Sequence, residues 1–174
     1  IISNIKTGRK TWETQNDMYR PLYESYQEGL KLFNAVDFDD LIVLPIKLFK
    51  EFPEVLAKYR DRYKYIMVDE FQDTSHQQYE FMHLIADKNI AVVGDDDQCI
   101  YGWRGSKVEY MVGFASMYPN VKDHYLDQNF RSTPQIIDVA NSLILANNNR
   151  LPKKMFTSNE EGEKPIYNGV NTDK

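Results

Sequence analysis

The chain has 174 residues, of which 42% are hydrophobic and 27% charged, enough for one sizeable core in an ordinary globular composition. A formal net charge of −5 at pH 7 excludes a protein that coats nucleic acid by bulk positive charge, so any contact with DNA must be local. A single cysteine, Cys99, excludes an intrachain disulfide framework, the three histidines show no metal-ligand spacing with it, and no stretch approaches the roughly 20 apolar residues of a membrane helix, so a cytoplasmic protein without a membrane partner is expected.

The first residues, IISNIKTGRK, lack the apolar core of a signal peptide, and a start at Ile1 with a polar end, NGVNTDK, suggests a piece of something larger. Residues 1 to 34 read as a helical arm, with a helix from about Tyr19 to Phe33 in which Tyr23, Tyr26, Leu30 and Phe33 recur at spacings of three and four. Asp37 can cap a following helix that carries Leu41, Ile42, Leu44 and Leu48, with Pro45 as a kink or early break. The helical texture continues through PEVLAKYRDRY to Tyr63. YKYIMV, residues 63 to 68, is short, apolar and aromatic, and predicts a buried strand ending at Asp69. Thr74 with Gln77 and Ser75 with Gln78 both have capping-box spacing, which predicts a helix from His76 to Ala86. NIAVVGD predicts a second buried strand, ending at Gly94 and Asp95. Ser106 with Glu109 predicts a helix through Val108, Met111, Val112 and Ala115, stopped by Pro119. Residues 121 to 126 predict a third strand. Thr133 as cap and Pro134 at the first position then start a helix that buries Ile136, Ile137, Ala140, Leu143 and Ile144. From Asn147 the chain reads as an exposed loop, with a short strand near Pro165 to Val170. Strand-then-helix units in succession imply an α/β fold with a parallel sheet, in which ligands bind at the carboxyl ends of the strands.

Each predicted strand ends in a polar junction. In VDEFQDTS, Asp69 and Glu70 follow the apolar strand directly, an arrangement that can hold Mg²⁺ beside nucleotide phosphates and leave a neighbouring carboxylate to polarise water. Strand-end acids also cap helices or face water, and a bare pair does not choose between these roles. In GDDDQCIYGWRGS, Gly94 allows a tight turn, Gln98 supplies an amide for a phosphate or water, and Tyr101, Trp103 and Arg104 put two aromatic faces and a cation in one glycine-flanked loop. Such a group can stack single-stranded bases for about 1–3 kcal/mol each, although aromatic residues more commonly serve the core. In DQNFRST, Arg131 can stabilise charge on a phosphate and Phe130 can stack on a base; a surface ion pair and ordinary packing are the plainer alternatives.

Taken in this order and spacing, the three junctions resemble motifs II, III and IV of the superfamily 1 DNA helicases of the UvrD/Rep/PcrA group, and the flanks DFDDLIVLP and ANNNRLPKKMFT extend the resemblance over nearly the whole chain. The resemblance implies part of a RecA-like (P-loop NTPase) parallel sheet with flanking helices and a helical N-terminal arm, and it implies ATP and Mg²⁺ as cofactors. By similarity Asp69 coordinates Mg²⁺, Glu70 activates the hydrolytic water, Gln72 couples the nucleotide site to motif III, and Gln98 and Arg131 contact the γ-phosphate. Phe130 stands where the family stacks an aromatic ring, usually tyrosine, on the adenine. Tyr101, Trp103 and Arg104 would line the path of single-stranded DNA, and Cys99 replaces the family's usual serine. Such enzymes move 3′ to 5′ on single-stranded DNA and open duplex junctions by closing two RecA-like domains around ATP.

No G-x-x-x-x-G-K-[ST] loop occurs, and TGRKT near the start lacks the required glycines. The resemblance therefore implies a central fragment, inactive alone. Residues 1–34 would end the insertion of the first motor domain, 35–126 would form its second half, and 127–174 would begin the second motor domain, whose apolar helix would pack back or drive self-association. Three other readings compete: a DNA-binding module without a motor, a subunit of a helicase–nuclease complex, and a two-metal nuclease built on Asp69, Glu70 and Asp73. The last leaves the aromatic loop and Arg131 without a role.

Overall fold

The structure is a computed structural model that describes residues 1–15, 17–86, 88–118 and 120–169. The chain divides into two compact units, Ile1–Met111 and Val112–Lys174.

The first unit opens with α1 (Ile2–Lys6), followed by α2 (Arg20–Leu32), the helix the spacing predicted. Trp12 meets Tyr23 edge to face at 5.5 Å, and the Arg20 guanidinium lies 5.3 Å over the Trp12 ring. The arm is tied to α3 (Asp40–Glu51) by a buried cation, because Lys6 Nζ lies 2.8 Å from Asp37 Oδ2 and 2.7 Å from Asp40 Oδ1. Tyr26 Oη donates to the same Asp37 oxygen at 2.9 Å. Asp37 Oδ1 also accepts from the Asp40 N–H while Asp40 Oδ2 accepts from the Asp37 N–H, so these two acids cap the start of α3 reciprocally.

Pro45 does not end α3; the helix runs six residues past it to Glu51. The buried side of α3 is formed by Asp40, Ile46 and Phe49, whereas Leu41, Leu44 and Leu48 are exposed. α4 (Pro53–Arg62) follows, and Phe49 joins the helices by meeting Tyr59 at 5.3 Å and Phe81 at 5.9 Å.

β1 (Ile66–Val68) and β2 (Ile90–Val92) pair in parallel, with Ile66 opposite Ile90 and Val68 opposite Val92. A parallel pair requires a crossover, which α5 (His76–Ile85) supplies. Its start is capped as predicted: Ser75 N–H donates to Gln78 Oε1 at 2.9 Å and the Ser75 hydroxyl accepts from Gln78 N–H at 3.4 Å. Thr74 takes no part in that box and closes the preceding turn. α5 is held from outside by an ion pair from Lys50 to Glu80 and by Arg60 Nε, which donates to the Leu84 carbonyl at 2.8 Å. Ile46, Phe49, Phe71, Met82, Ile85 and Ala86 form the core.

The strands are half-covered rather than buried. Ile66 and Val68 face Phe81 and Met82 of α5, while Met67 on the opposite face is 78% exposed. Parallel sheets are stable when both faces are covered, and here one face is open.

The helix predicted after Ser106 is two single turns, α6 (Glu109–Val112) and α7 (Phe114–Met117), separated at Gly113. Ser106 instead bridges Ser75. Tyr110 joins α6 to α5: its ring stacks on Tyr79 at 3.9 Å and its hydroxyl lies 2.9 Å from His76 Nδ1. Burial raises the pKa of Tyr79 and Tyr110 and lowers that of His83, which meets Tyr79 edge-on at 4.3 Å.

In the second unit the third predicted strand is absent: residues 121–126 make no ladder among the described residues, and the nearest pairing is a parallel bridge between Gln128 and Phe156. An extended segment becomes a strand only where a neighbour supplies hydrogen-bond partners. α8 (Pro134–Ile144) begins after Thr133 with Pro134 in its first turn as expected, but the Thr133 side chain makes no capping hydrogen bond and only Ile137 of the five predicted core residues is fully buried. Asn141 on α8 exchanges hydrogen bonds with the Met155 backbone, 2.8 Å to the carbonyl and 3.2 Å from the N–H. Residues 165–169 form no strand, and Val170 lies outside the described residues.

Candidate functional site

β1 delivers its polar junction by running out at Val68. Asp69 Oδ1 accepts from the Glu70 N–H at 2.9 Å, and Glu70 sits in the left-handed region at φ 48°, a conformation unusual for a residue with a β-carbon. That turn aims the chain into a single 3₁₀ turn, Phe71–Asp73, which buries Phe71 and Gln72. Gln72, 3% exposed, donates from Nε2 to Glu70 Oε2 at 2.7 Å and accepts at Oε1 from the Asp95 N–H at 3.0 Å. Asp95 Oδ2 in turn accepts from Gln98 Nε2 at 2.7 Å. A continuous relay thus runs from Glu70 through Gln72 and Asp95 to Gln98, joining the ends of β1 and β2.

Gly94 makes the relay possible, for a reason other than the expected tight turn. Its φ is not positive; instead a β-carbon there would stand 2.5 Å from Gln72 Oε1. The Cys99 thiol donates to the Gln72 carbonyl at 3.4 Å, so it supplies a donor at a position where a hydroxyl would do the same.

Asp69, Glu70, Asp73, Thr74 and Gln78 line one pocket of about 420 Å³ beside β1 and α5. Asp73 Oδ1 is buried there and, among the described residues, has no hydrogen-bond partner. Sequence reading weighed Asp73 only for a nuclease, and its signal was a carboxylate four residues after Asp69. Hard oxygen donors around an unpartnered buried oxygen fit Mg²⁺ chemically.

The aromatic loop forms a second cluster. Trp103 is 72% exposed, meets Tyr101 at 6.3 Å with planes at 70°, and carries the Arg104 guanidinium 4.6 Å over its ring; that guanidinium is also 4.9 Å from Tyr101. The core alternative does not describe Trp103. Gly105, in the left-handed region at φ 97°, turns the chain out of this loop.

Phe130 and Arg131 belong to the second unit. Asn129 Oδ1 accepts from the N–H groups of Arg131 and Ser132 at 2.9 and 2.8 Å, a turn that leads into α8 and leaves Phe130 76% exposed with Arg131 at the surface.

Residues 2–119 match the UvrD/REP helicase N-terminal domain. The chain is 47% identical to the ATP-dependent DNA helicase PcrA of Leuconostoc citreum, an alignment covering 87% of this chain and 21% of that protein. It is 43% identical to the ATP-dependent DNA helicases PcrA of Staphylococcus epidermidis and Staphylococcus aureus, over 95% of this chain and 24% of each relative. It therefore spans about a fifth to a quarter of the length of these curated relatives. A family match over more than half of the chain, carried by the same segment that builds the Glu70–Gln98 relay and the aromatic loop, places this protein in the UvrD/REP helicase family.

Proposed function

We propose that this chain is the central part of an ATP-dependent DNA helicase that moves 3′ to 5′ on single-stranded DNA and opens duplex junctions. The observation that supports this most directly is the Gln72 amide, which holds the Glu70 carboxylate with one end and the backbone before the aromatic loop with the other. A group that registers the state of a nucleotide at Glu70 is thereby wired to the loop suited to DNA.

In this reading the β1–β2 pair is part of a RecA-like sheet. Asp69, with Asp73 nearby, would hold Mg²⁺, which when bound would supply positive charge to offset that of the nucleotide phosphates. Glu70 takes the proton of the attacking water on the carboxylate oxygen that Gln72 leaves free. Gln98 reads the γ-phosphate by exchanging its hydrogen bond to Asp95 for one to the phosphate, and Arg131 offsets the charge that develops there. Phe130 stacks on the adenine. Trp103 and Tyr101 stack on bases while Arg104 neutralises phosphate.

The domain assignment belongs to the same proposal: residues 1–34 end an insertion, 35–126 complete a first motor domain, and 127–174 begin a second. Without a phosphate-cradling loop this chain alone binds ATP poorly and does not turn it over. The test is ATP hydrolysis with single-stranded DNA, by this chain and by a natural parent chain containing such a loop. Activity is expected only in the longer protein and is expected to fall by at least a hundredfold in Glu70→Gln. Robust activity in that variant would remove Glu70 from the role of base.

A further inference from the structure

We infer that Arg9, in the N-terminal arm, is a phosphate contact on the single-stranded DNA path, extending the surface that begins at Trp103. The inference rests on the reading of the aromatic loop given above and adds a residue outside all three junctions. Sequence pattern leaves Arg9 in a stretch, TGRKT, whose only apparent relevance was as a failed phosphate loop. Folding puts it elsewhere: Arg9 Cδ lies 3.8 Å from where a β-carbon on Gly105 would stand, and Gly105 is the residue that ends the aromatic loop immediately after Arg104.

Three features suit Arg9 to a phosphate. Its guanidinium is exposed, and among the described residues it makes no ion pair, so no carboxylate competes with an incoming anion. It is held in place by neutral groups: Nε donates to Thr7 Oγ1 at 2.9 Å and Nη2 to Ser3 Oγ at 2.9 Å, while the Thr7 hydroxyl donates to the Ser3 carbonyl at 2.6 Å. This fixes the side chain and leaves N–H donors free, which lowers the entropic cost of binding. Finally, Arg104 and Lys107 flank Gly105 in the chain and are exposed, so Arg9 adds to a local concentration of cations in a protein that is acidic as a whole. A backbone that crosses Trp103 by stacking needs cations at its phosphates on either side, and Arg9 supplies one that the loop itself does not contain.

The test is titration of the whole chain into fluorescently labelled oligothymidylate across a salt series. For single strands each phosphate contact contributes about 0.7 to the slope of log affinity against log salt. Arg9→Gln is expected to reduce the slope by about that amount and to weaken binding several-fold at low salt, and Arg9→Lys to keep the slope. Loss of slope in both variants would assign Arg9 a structural role and overturn the inference, as would an unchanged slope in Arg9→Gln while Trp103→Ala weakens binding. Phenylglyoxal modification of the unaltered chain decides the matter independently of any folding defect: oligothymidylate should protect Arg9 together with Arg104, and equal reactivity of Arg9 with and without it would overturn the inference. Failure of the unaltered chain to bind at all would sink the DNA reading of the loop itself.

Discussion

A β-carbon at position 94 would meet Gln72 Oε1 at 2.5 Å and the backbone nitrogens of Phe71 and Gln72 at 3.1 and 3.2 Å. Gly94→Ala must therefore push the buried amide off Glu70 or Asp95, and it is expected to lower stability by about 1–3 kcal/mol, read as a shift of the urea midpoint. An unchanged midpoint would show that the end of β2 yields instead. At Lys6 burial would by itself lower the pKa, but hydrogen bonds to Asp37 and Asp40 outweigh it and raise it. At Asp37 burial would raise the pKa, but hydrogen bonds from Lys6, the Asp40 N–H and Tyr26 lower it. The Asp37 contribution is accordingly present above its ordinary value of 3.8 and lost as pH falls through the lower folded value; the Lys6 contribution is present below its ordinary 10.5 and lost as pH rises through the higher one. Between these limits Lys6→Met leaves two poorly solvated carboxylates unpaired, and a loss of about 3–5 kcal/mol at pH 7 is expected in thermal or urea unfolding. The placement of Asp69 and Glu70 at a strand end and of Trp103 in an exposed, glycine-flanked loop was legible in the sequence because each setting is local. Gly94 was legible as a glycine but not for its reason, since the partner that forbids a side chain lies 22 residues earlier in the chain.

Among the elements, α3 carries Pro45 in its interior, so the Leu41 carbonyl loses its helical N–H partner. Pro45→Ala is expected to stabilise the first unit by about 1–3 kcal/mol, a gain that equilibrium unfolding would detect and whose absence would mean that the ring packs usefully outside the helix. α5 carries His83, whose pKa is lowered by burial. A depressed folded value means that the fold binds fewer protons than the unfolded chain, so stability is full above about 6.5 and declines as pH falls toward the folded value. The urea midpoint should drop through this window, and His83→Gln should flatten the drop; identical pH profiles would exclude His83 as the cause. The start of α5 was readable because its capping box needs only the few residues beside it, and that of α8 because Pro134 suits the first helical position, although Thr133 makes no capping hydrogen bond. The strands were overestimated and the helix after Ser106 came out as two turns, because pairing and packing partners decide whether a short apolar run becomes regular structure.

For the whole molecule, the consequence of a half-covered sheet and a half-covered α8 is exposed apolar surface. Leu143 is 75% exposed, and Val139 and Ile136 on the same helix are exposed as well. Apolar surface of this kind favours association, and concentration-dependent self-association is expected in sedimentation velocity, weakened by Leu143→Glu. A monomer at all concentrations would show that α8 does not mediate contact. The order of motifs and the family were determined by the sequence alone, because they depend on which residues are neighbours along the chain. Only the tertiary structure decided which strands form, why position 94 must be glycine, how Gln72 joins Glu70 to Asp95, and that Arg9 lies beside Gly105, because each of these depends on contacts between residues distant in sequence, which folding alone brings within reach.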